Sequence, residues 1–186
     1  VIIDNTAPEG AITEPADRSI LRETVEVVVE AGDVNIKVVE LYIDGDLVAT
    51  WNANGTYTYI WNTTAWADGT HTIRLEVEDL AGNVLAIEIM VTVDNTAPVI
   101  ESMSHSPWEP IKGQEVTVEV KASDATSGVV KVVLWYRING GSWTSVEMTY
   151  SGGVWRATIP GQSAGAKVEY YVEVYDAAGN KIKSSV

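Results

Sequence analysis

Two short segments recur in the same order along the chain, and they constrain its fold more than any other feature. Asp4-Asn5-Thr6-Ala7-Pro8 returns as Asp94-Asn95-Thr96-Ala97-Pro98, and Asp79-Leu80-Ala81-Gly82-Asn83 returns as Asp176-Ala177-Ala178-Gly179-Asn180. The first pair is 90 residues apart. That period is too long for a helical solenoid and suits a β-sandwich of about 100 residues. The 186 residues therefore predict two domains, at 1–93 and 94–186. Val1-Ile2-Ile3 stands before the first copy as Val91-Thr92-Val93 stands before the second, so residues 1–3 are expected to be the tail of a preceding repeat.

Between the repeated turns, apolar residues alternate with polar ones at the strand period of two, and helical periodicity is absent. Val25, Val27 and Val29 face one way, as do Val39, Leu41 and Ile43, then Ile73, Leu75 and Val77, and the last long run from Leu85 to Val93. The second half repeats this with Val116–Val120, Val132–Tyr136, Trp155–Ile159 and Val168–Val174. Asp44-Gly45-Asp46, Asn139-Gly140-Gly141 and Ser151-Gly152-Gly153 supply turns. One apolar and one polar face per strand predicts two packed antiparallel sheets in each half. The fold class is all-β: two tandem immunoglobulin-like sandwiches of about seven strands each.

Composition narrows the function classes. No cysteine is present, so disulfides, thiolate metal sites and thiol nucleophiles are excluded. No apolar run reaches 18 residues, so no membrane-spanning helix is expected in this segment. The net charge of −14 is uneven: residues 1–93 hold 16 acidic against 4 basic side chains, and residues 94–186 hold 10 against 8. A strongly acidic half repels phosphate backbones, which argues against nucleic acid as a partner.

Chemistry-bearing patterns are sparse. His71, expected in a turn before a strand, and His105, expected in a loop beside Pro107, are isolated and do not form an HExxH zinc site. Nothing points to a Ser-His-Asp triad, to a carboxylate pair for glycoside hydrolysis or to a phosphate-binding glycine loop. The chain reads as no enzyme. Asn54-Gly55-Thr56 and Asn62-Thr63-Thr64 fit the N-glycosylation pattern.

Two clusters are expected from topology. In an immunoglobulin fold the first strand begins at the end where the B–C and F–G loops lie. That places Asp4 beside Asp33, Asp79 and Asn83, and Asp94 beside Asp124, Asp176 and Asn180. Each linker aspartate precedes its loop aspartate by nearly the same interval, 29 and 30 residues. Oxygen-rich sets of this kind suit Ca²⁺, although Asp and Asn also favour turns for their own hydrogen bonding. No cofactor is required, and calcium is the one ion the pattern suggests. On the second half, Trp135, Tyr171 and Tyr175 are expected to point away from the core on neighbouring strands, with Trp143 beside them. Such a patch could take a sugar ring or a protein surface, or simply stabilise the sheet.

Taken together, Trp61-Asn62-Thr63-Thr64, Asp68-Gly69-Thr70-His71, Asp79-Leu80-Ala81-Gly82-Asn83 and Asp94-Asn95-Thr96-Ala97-Pro98 resemble the bacterial and archaeal Ig-like repeat over residues 4–98. Leu134-Trp135-Tyr136-Arg137, Trp143 with Val146-Glu147-Met148, Ala157-Thr158-Ile159-Pro160 and Tyr170-Tyr171 resemble a related fibronectin type III-like module. It lacks the Trp-Asn-Thr-Thr and Asp-Gly-Thr-His segments of the first half. Such repeats occur in surface-layer proteins, in adhesins and in the tails of secreted proteases and glycosidases. The resemblance implies an extracellular or cell-surface location, neighbouring domains of the same chain as partners, and no catalytic residues. It implies a spacer or stalk role. The alternatives are a carbohydrate- or protein-binding adhesion module and an accessory tail of a secreted hydrolase.

Overall fold

A computed structural model describes residues 4–186, so the reading of residues 1–3 as the tail of another repeat lies outside the described residues. The chain divides after Asn95 into two units, Val1–Asn95 and Thr96–Val186.

The first unit runs β1 (Glu9–Glu14), β2 (Ile20–Leu21), β3 (Thr24–Gly32), β4 (Ile36–Ile43), β5 (Asp46–Trp51), β6 (Gly55–Asn62), a 3-10 turn at Thr63–Ala65, β7 (Gly69–Asp79) and β8 (Val84–Val93). One sheet has the order β1-β3-β6 and the other β2-β8-β7-β4-β5. The alternation read from the sequence is the burial pattern: Val27, Val29 and Trp61 of the first sheet pack on Val39, Leu41, Ile43, Ile73, Leu75, Val77, Val91 and Val93 of the second. Asp44 and Gly45 both have positive φ, 51° and 87°, as a two-residue hairpin with right-handed strand twist requires. The leading strand is split. After β1 the chain passes Pro15, which has no N–H to continue a ladder, and crosses to the other sheet as β2. There it runs parallel to β8, pairing Ile20 with Thr92 and Leu21 with Val93.

The second unit runs β9 (Val99–Ser106), β10 (Val116–Ser123), β11 (Val129–Ile138), β12 (Thr144–Glu147), β13 (Thr149–Ser151), β14 (Val154–Ile159), β15 (Val168–Asp176) and β16 (Lys181–Lys183). Its sheets are β13-β14-β10-β9 and β12-β11-β15-β16. Val118, Val120, Met148 and Ile159 close on Val132, Leu134, Val172 and Val174. Among the described residues each unit thus has eight strands, because β1/β2 and β12/β13 are each divided where the chain changes sheets.

Both histidines lie in strands, not in the turn and loop expected for them. His71 is the third residue of β7, and His105 is in β9 opposite Val118. Each keeps the inward phase of its strand, as Ile73 and Met103 do two residues away, and tertiary packing overrides the turn signals beside them.

Candidate functional sites

The recurring Asp-x-x-Gly-Asn segment folds as the turn from β7 to β8. Asp79 N–H donates to the Asn83 carbonyl at 3.1 Å. Asp79 Oδ1 accepts from the N–H groups of Ala81 and Asn83, each at 2.8 Å, and Oδ2 accepts from Asn83 Nδ2 at 2.7 Å. Asn83 Nδ2 also reaches the carbonyls of Asp4 and Thr6, at 3.2 and 3.1 Å, and so pins the leading segment to this turn. Burial raises the pKa of the Asp79 carboxyl, but the Asn83 side chain and the backbone N–H groups of the turn outweigh it and hold the carboxyl below the usual value.

Asp33, just past β3, joins from the opposite loop. Its Oδ1 accepts from Asn35 N–H at 2.8 Å, and its backbone is gripped by the Asn54 amide, which accepts from Asp33 N–H at 3.0 Å and donates to its carbonyl at 2.7 Å. Asp4 Oδ1 accepts from Thr6 N–H at 3.0 Å. Asp4, Asp33 and Asp79 each offer a carboxylate oxygen, and the three oxygens lie within 4.8 Å of one another. None of the three is ion-paired with a lysine or arginine among the described residues.

In the second unit, the turn from β15 to β16 repeats the geometry. Asp176 N–H donates to the Asn180 carbonyl at 3.2 Å, Asn180 N–H donates to Asp176 Oδ1 at 2.8 Å, and Asn180 Nδ2 donates to the Thr96 carbonyl at 3.2 Å. Asp124 Oδ1 organises its loop by accepting from the N–H groups of Thr126, Ser127 and Gly128. The Asp124 and Asp176 carboxylates approach within 4.8 Å. Asp176 is only 2% exposed, and its Oδ2 has no hydrogen-bond partner. Asp94 lies at the end of the first unit, where its N–H donates to the Leu21 carbonyl at 2.9 Å.

The four aromatic residues expected on the outer face of the second unit come together. β11 pairs with β15, placing Trp135 opposite Tyr171. Their rings stack at 6.1 Å, and Trp143 meets Tyr171 edge-on at 4.8 Å. Cations interleave with them: Arg137 lies over Trp143 at 4.7 Å, Lys183 over Tyr171 at 3.6 Å, and Lys131 and Lys181 flank Tyr175 at 5.9 and 5.7 Å. Glu173 ties the face together by accepting from Trp135 Nε1 and the Tyr175 hydroxyl, at 3.1 and 2.8 Å. Tyr171 is buried rather than open, because Trp135, Trp143 and Lys183 cover it.

Of the two glycosylation candidates, Asn54 is committed to Asp33, and Asn62 caps the 3-10 turn by accepting from Thr64 N–H at 3.2 Å. Two further features were not read from the sequence. His71 is buried, with Nδ1 at 2.6 Å from Asp44 Oδ2 and Nε2 at 2.8 Å from the Ala67 carbonyl. In the second unit, Trp108 is 78% exposed and stacks on His105, whose Nδ1 lies 2.8 Å from the Tyr170 hydroxyl beside an apolar cavity of about 240 Å³. Gly161-Gln162-Ser163-Ala164-Gly165 has the G-x-S-x-G spacing of a nucleophile elbow, but it links β14 to β15 with no helix after it, so the strand–turn–helix context is missing.

A family model described as "Bacterial Ig domain" matches residues 8–75, and one described as "Domain of unknown function (DUF7743)" matches residues 92–186. The chain belongs to the second family. No curated protein matches it. Among solved structures it is similar to the fibronectin(III)-like modules of Clostridium thermocellum CbhA, with 13% identity and a TM-score of 0.51 over 96% of this chain and 92% of that one. It is similar also to titin domains A168–A170 (10% identity, TM-score 0.63) and to the titin I-band fragment I67–I69 (14%, 0.59). It covers 64% of each titin chain, and each titin chain matches 97% of this one. At these identities the likeness concerns the fold: the DUF7743-family chain is a tandem of immunoglobulin-like and fibronectin III-like sandwiches.

Proposed function

We propose that the chain is a non-catalytic structural segment of a multi-domain extracellular or cell-surface protein, spacing other domains and carrying tension between them. The observation that carries this reading is the path of the chain through each sandwich. In the first unit the leading segment is tied to the β7–β8 turn through Asn83. The trailing Asn95 is tied to the other end: its N–H donates to Asp68 Oδ1, its Oδ1 accepts from Glu23 N–H, and its Nδ2 donates to Thr63 Oγ1. The chain therefore enters at one end and leaves at the other. The second unit does the same, with Thr96 held at the β15–β16 turn while Ser185 and Val186 lie beside Lys167 and Val168, where β15 starts.

Tension along such a path pulls β2 and β8 in opposite directions along their lengths. It loads together the Arg18 N–H to Met90, Thr92 N–H to Ser19 and Asp94 N–H to Leu21 carbonyl bonds, at 2.6, 2.9 and 2.9 Å. Bonds loaded in parallel must break together, which suits a load-bearing role. Single-molecule extension tests this. Two discrete unfolding steps are expected, each releasing roughly 300 Å at about 3.5 Å per residue. Thr92→Pro removes one clamp donor and should lower the force of one step only. Smooth extension without steps would refute the reading.

The outer face of β11 and β15 supports a second reading, adhesion to carbohydrate or to a protein, because Trp135, Trp143 and Tyr175 remain partly exposed beside lysines. A glycan array comparing the parent chain with Trp135→Ala tests it. Binding that Trp135→Ala abolishes supports adhesion; the absence of binding, or binding the substitution leaves unchanged, counts against it.

A further inference from the structure

Buried carboxylates need a partner. In the first unit Asp4, Asp33 and Asp79 converge from three separate segments, but only Asp79 is buried and both its oxygens already accept hydrogen bonds. In the second, Asp176 Oδ2 is buried without a donor although a second carboxylate, Asp124, stands within 4.8 Å. Leaving a buried charged oxygen unpaired beside another negative charge is costly, and elsewhere these turns satisfy their polar groups closely. A hydrogen-bond donor is one remedy, and the first unit partly uses it through Asn83. A cation is the other.

We infer that the second unit binds one divalent cation, Ca²⁺, at this end, through Asp124 and Asp176. Two oxygens bound to one calcium at about 2.3–2.6 Å can stand at most about 5 Å apart, so oxygens within 4.8 Å can share an ion without rearranging their loops. The donors are all hard oxygens, which Ca²⁺ prefers, and water completes the six to eight positions it takes. The ion joins two loops of the second unit, so binding should stabilise its folded state. This inference is independent of the spacer reading.

Asp124→Asn tests it in the whole chain. It keeps an amide oxygen to accept the loop N–H bonds now made by the aspartate and removes only the charge. Isothermal titration of the chelator-stripped protein should show calcium bound, and the variant should lose one ion or weaken it about tenfold or more. Millimolar Ca²⁺ should raise the Tm by several degrees over EDTA, with a smaller rise from Mg²⁺. Circular dichroism checks that the variant is folded. The inference is overturned if the parent chain gives no heat and no Tm shift with Ca²⁺, if the folded variant binds Ca²⁺ as the parent does, or if Mg²⁺ stabilises as much as Ca²⁺.

Discussion

Replacing His71 by Phe isolates the polar part of the cluster that closes the far end of the first unit. Imidazole meets Trp61 and Trp66 edge-on, with ring centroids at 5.8 and 5.7 Å, and a phenyl ring of similar shape keeps those contacts. What it removes is both ring nitrogens. Each faces an oxygen that only accepts, Asp44 Oδ2 at 2.6 Å and the Ala67 carbonyl at 2.8 Å. A bond to an ionised acceptor contributes about 1.5–3 kcal/mol and a neutral one about 0.5–1.5 kcal/mol. The acceptors left behind are not stranded. Asp44 keeps the Thr72 N–H at 2.8 Å and the Thr72 hydroxyl at 3.3 Å, and Ala67 is exposed enough to turn its carbonyl to water. The net loss should therefore sit low in the combined range, at about 2–3 kcal/mol. For a sandwich of this size that lowers Tm by about 10–20 °C. Differential scanning calorimetry of the whole chain should show this in one transition, with the second unit's transition unchanged. A cycle with Asp44→Asn should return a coupling of about 1–2 kcal/mol. A fall below about 3 °C, or zero coupling with Asp44, would refute the assignment of that stability to the two bonds.

Acid should weaken both units. Burial raises the Asp44 carboxyl, but the Thr72 N–H and the His71 partner outweigh it, and Arg137 with Lys167 lowers Glu169. Carboxylates depressed in the folded state stabilise it above their unfolded pKa of about 4 and lose that contribution as pH falls through the lower folded value, so urea midpoints should drop below about pH 4, less steeply for Asp44→Asn in the first unit. Gly161→Ala should destabilise the second unit by about 2 kcal/mol or more, since a Cβ there overlaps the Gly113 carbonyl; an unchanged Tm would contradict that packing. Tyr171→Ala should cost about 3 kcal/mol and Trp135→Ala about 1 kcal/mol, by urea unfolding, because Tyr171 is the covered ring of the ladder; the reverse order would show that Tyr171 is not its centre.

Much of this fold was legible because period-two alternation is a direct record of which side of a sheet meets the other. Val27 and Val29, or Val172 and Val174, could face no other way once their charged neighbours were placed in water. Alternation does not say what covers an outward side chain. Tyr171 points away from the core as its phase demands, yet it is buried, because Trp143 comes from outside any strand and Lys183 from an edge strand of three residues. Neither placement has a local signal. The split of the leading strand was similarly hidden. Pro15 marks an interruption, but nothing nearby says that Ile20 and Leu21 will pair in parallel with β8, a partner some 70 residues away.

The polar ends of the units follow from a rule the sequence does contain. In β7 the inward phase runs His71, Ile73, Leu75, Val77, Asp79, and in β15 it runs Val172, Val174, Asp176. A polar residue that keeps step with the core near the end of a strand is carried inside with it, and its polar atoms must then be satisfied from the adjoining loops. His71 is satisfied by Asp44 and Ala67, and Asp79 by the β7–β8 turn and Asn83. Asp176 is satisfied on Oδ1 alone. The two turns share the same Asp-x-x-Gly-Asn residues and nearly the same backbone bonds, so the difference arises from where the asparagine amide goes. Asn83 Nδ2 reaches its own aspartate at 2.7 Å, whereas Asp176 Oδ2 receives no such bond. The oxygen left over in the second unit is thus the expected consequence of an in-phase aspartate whose turn supplies one donor too few, and a cation is the partner that its acidic neighbour Asp124 favours.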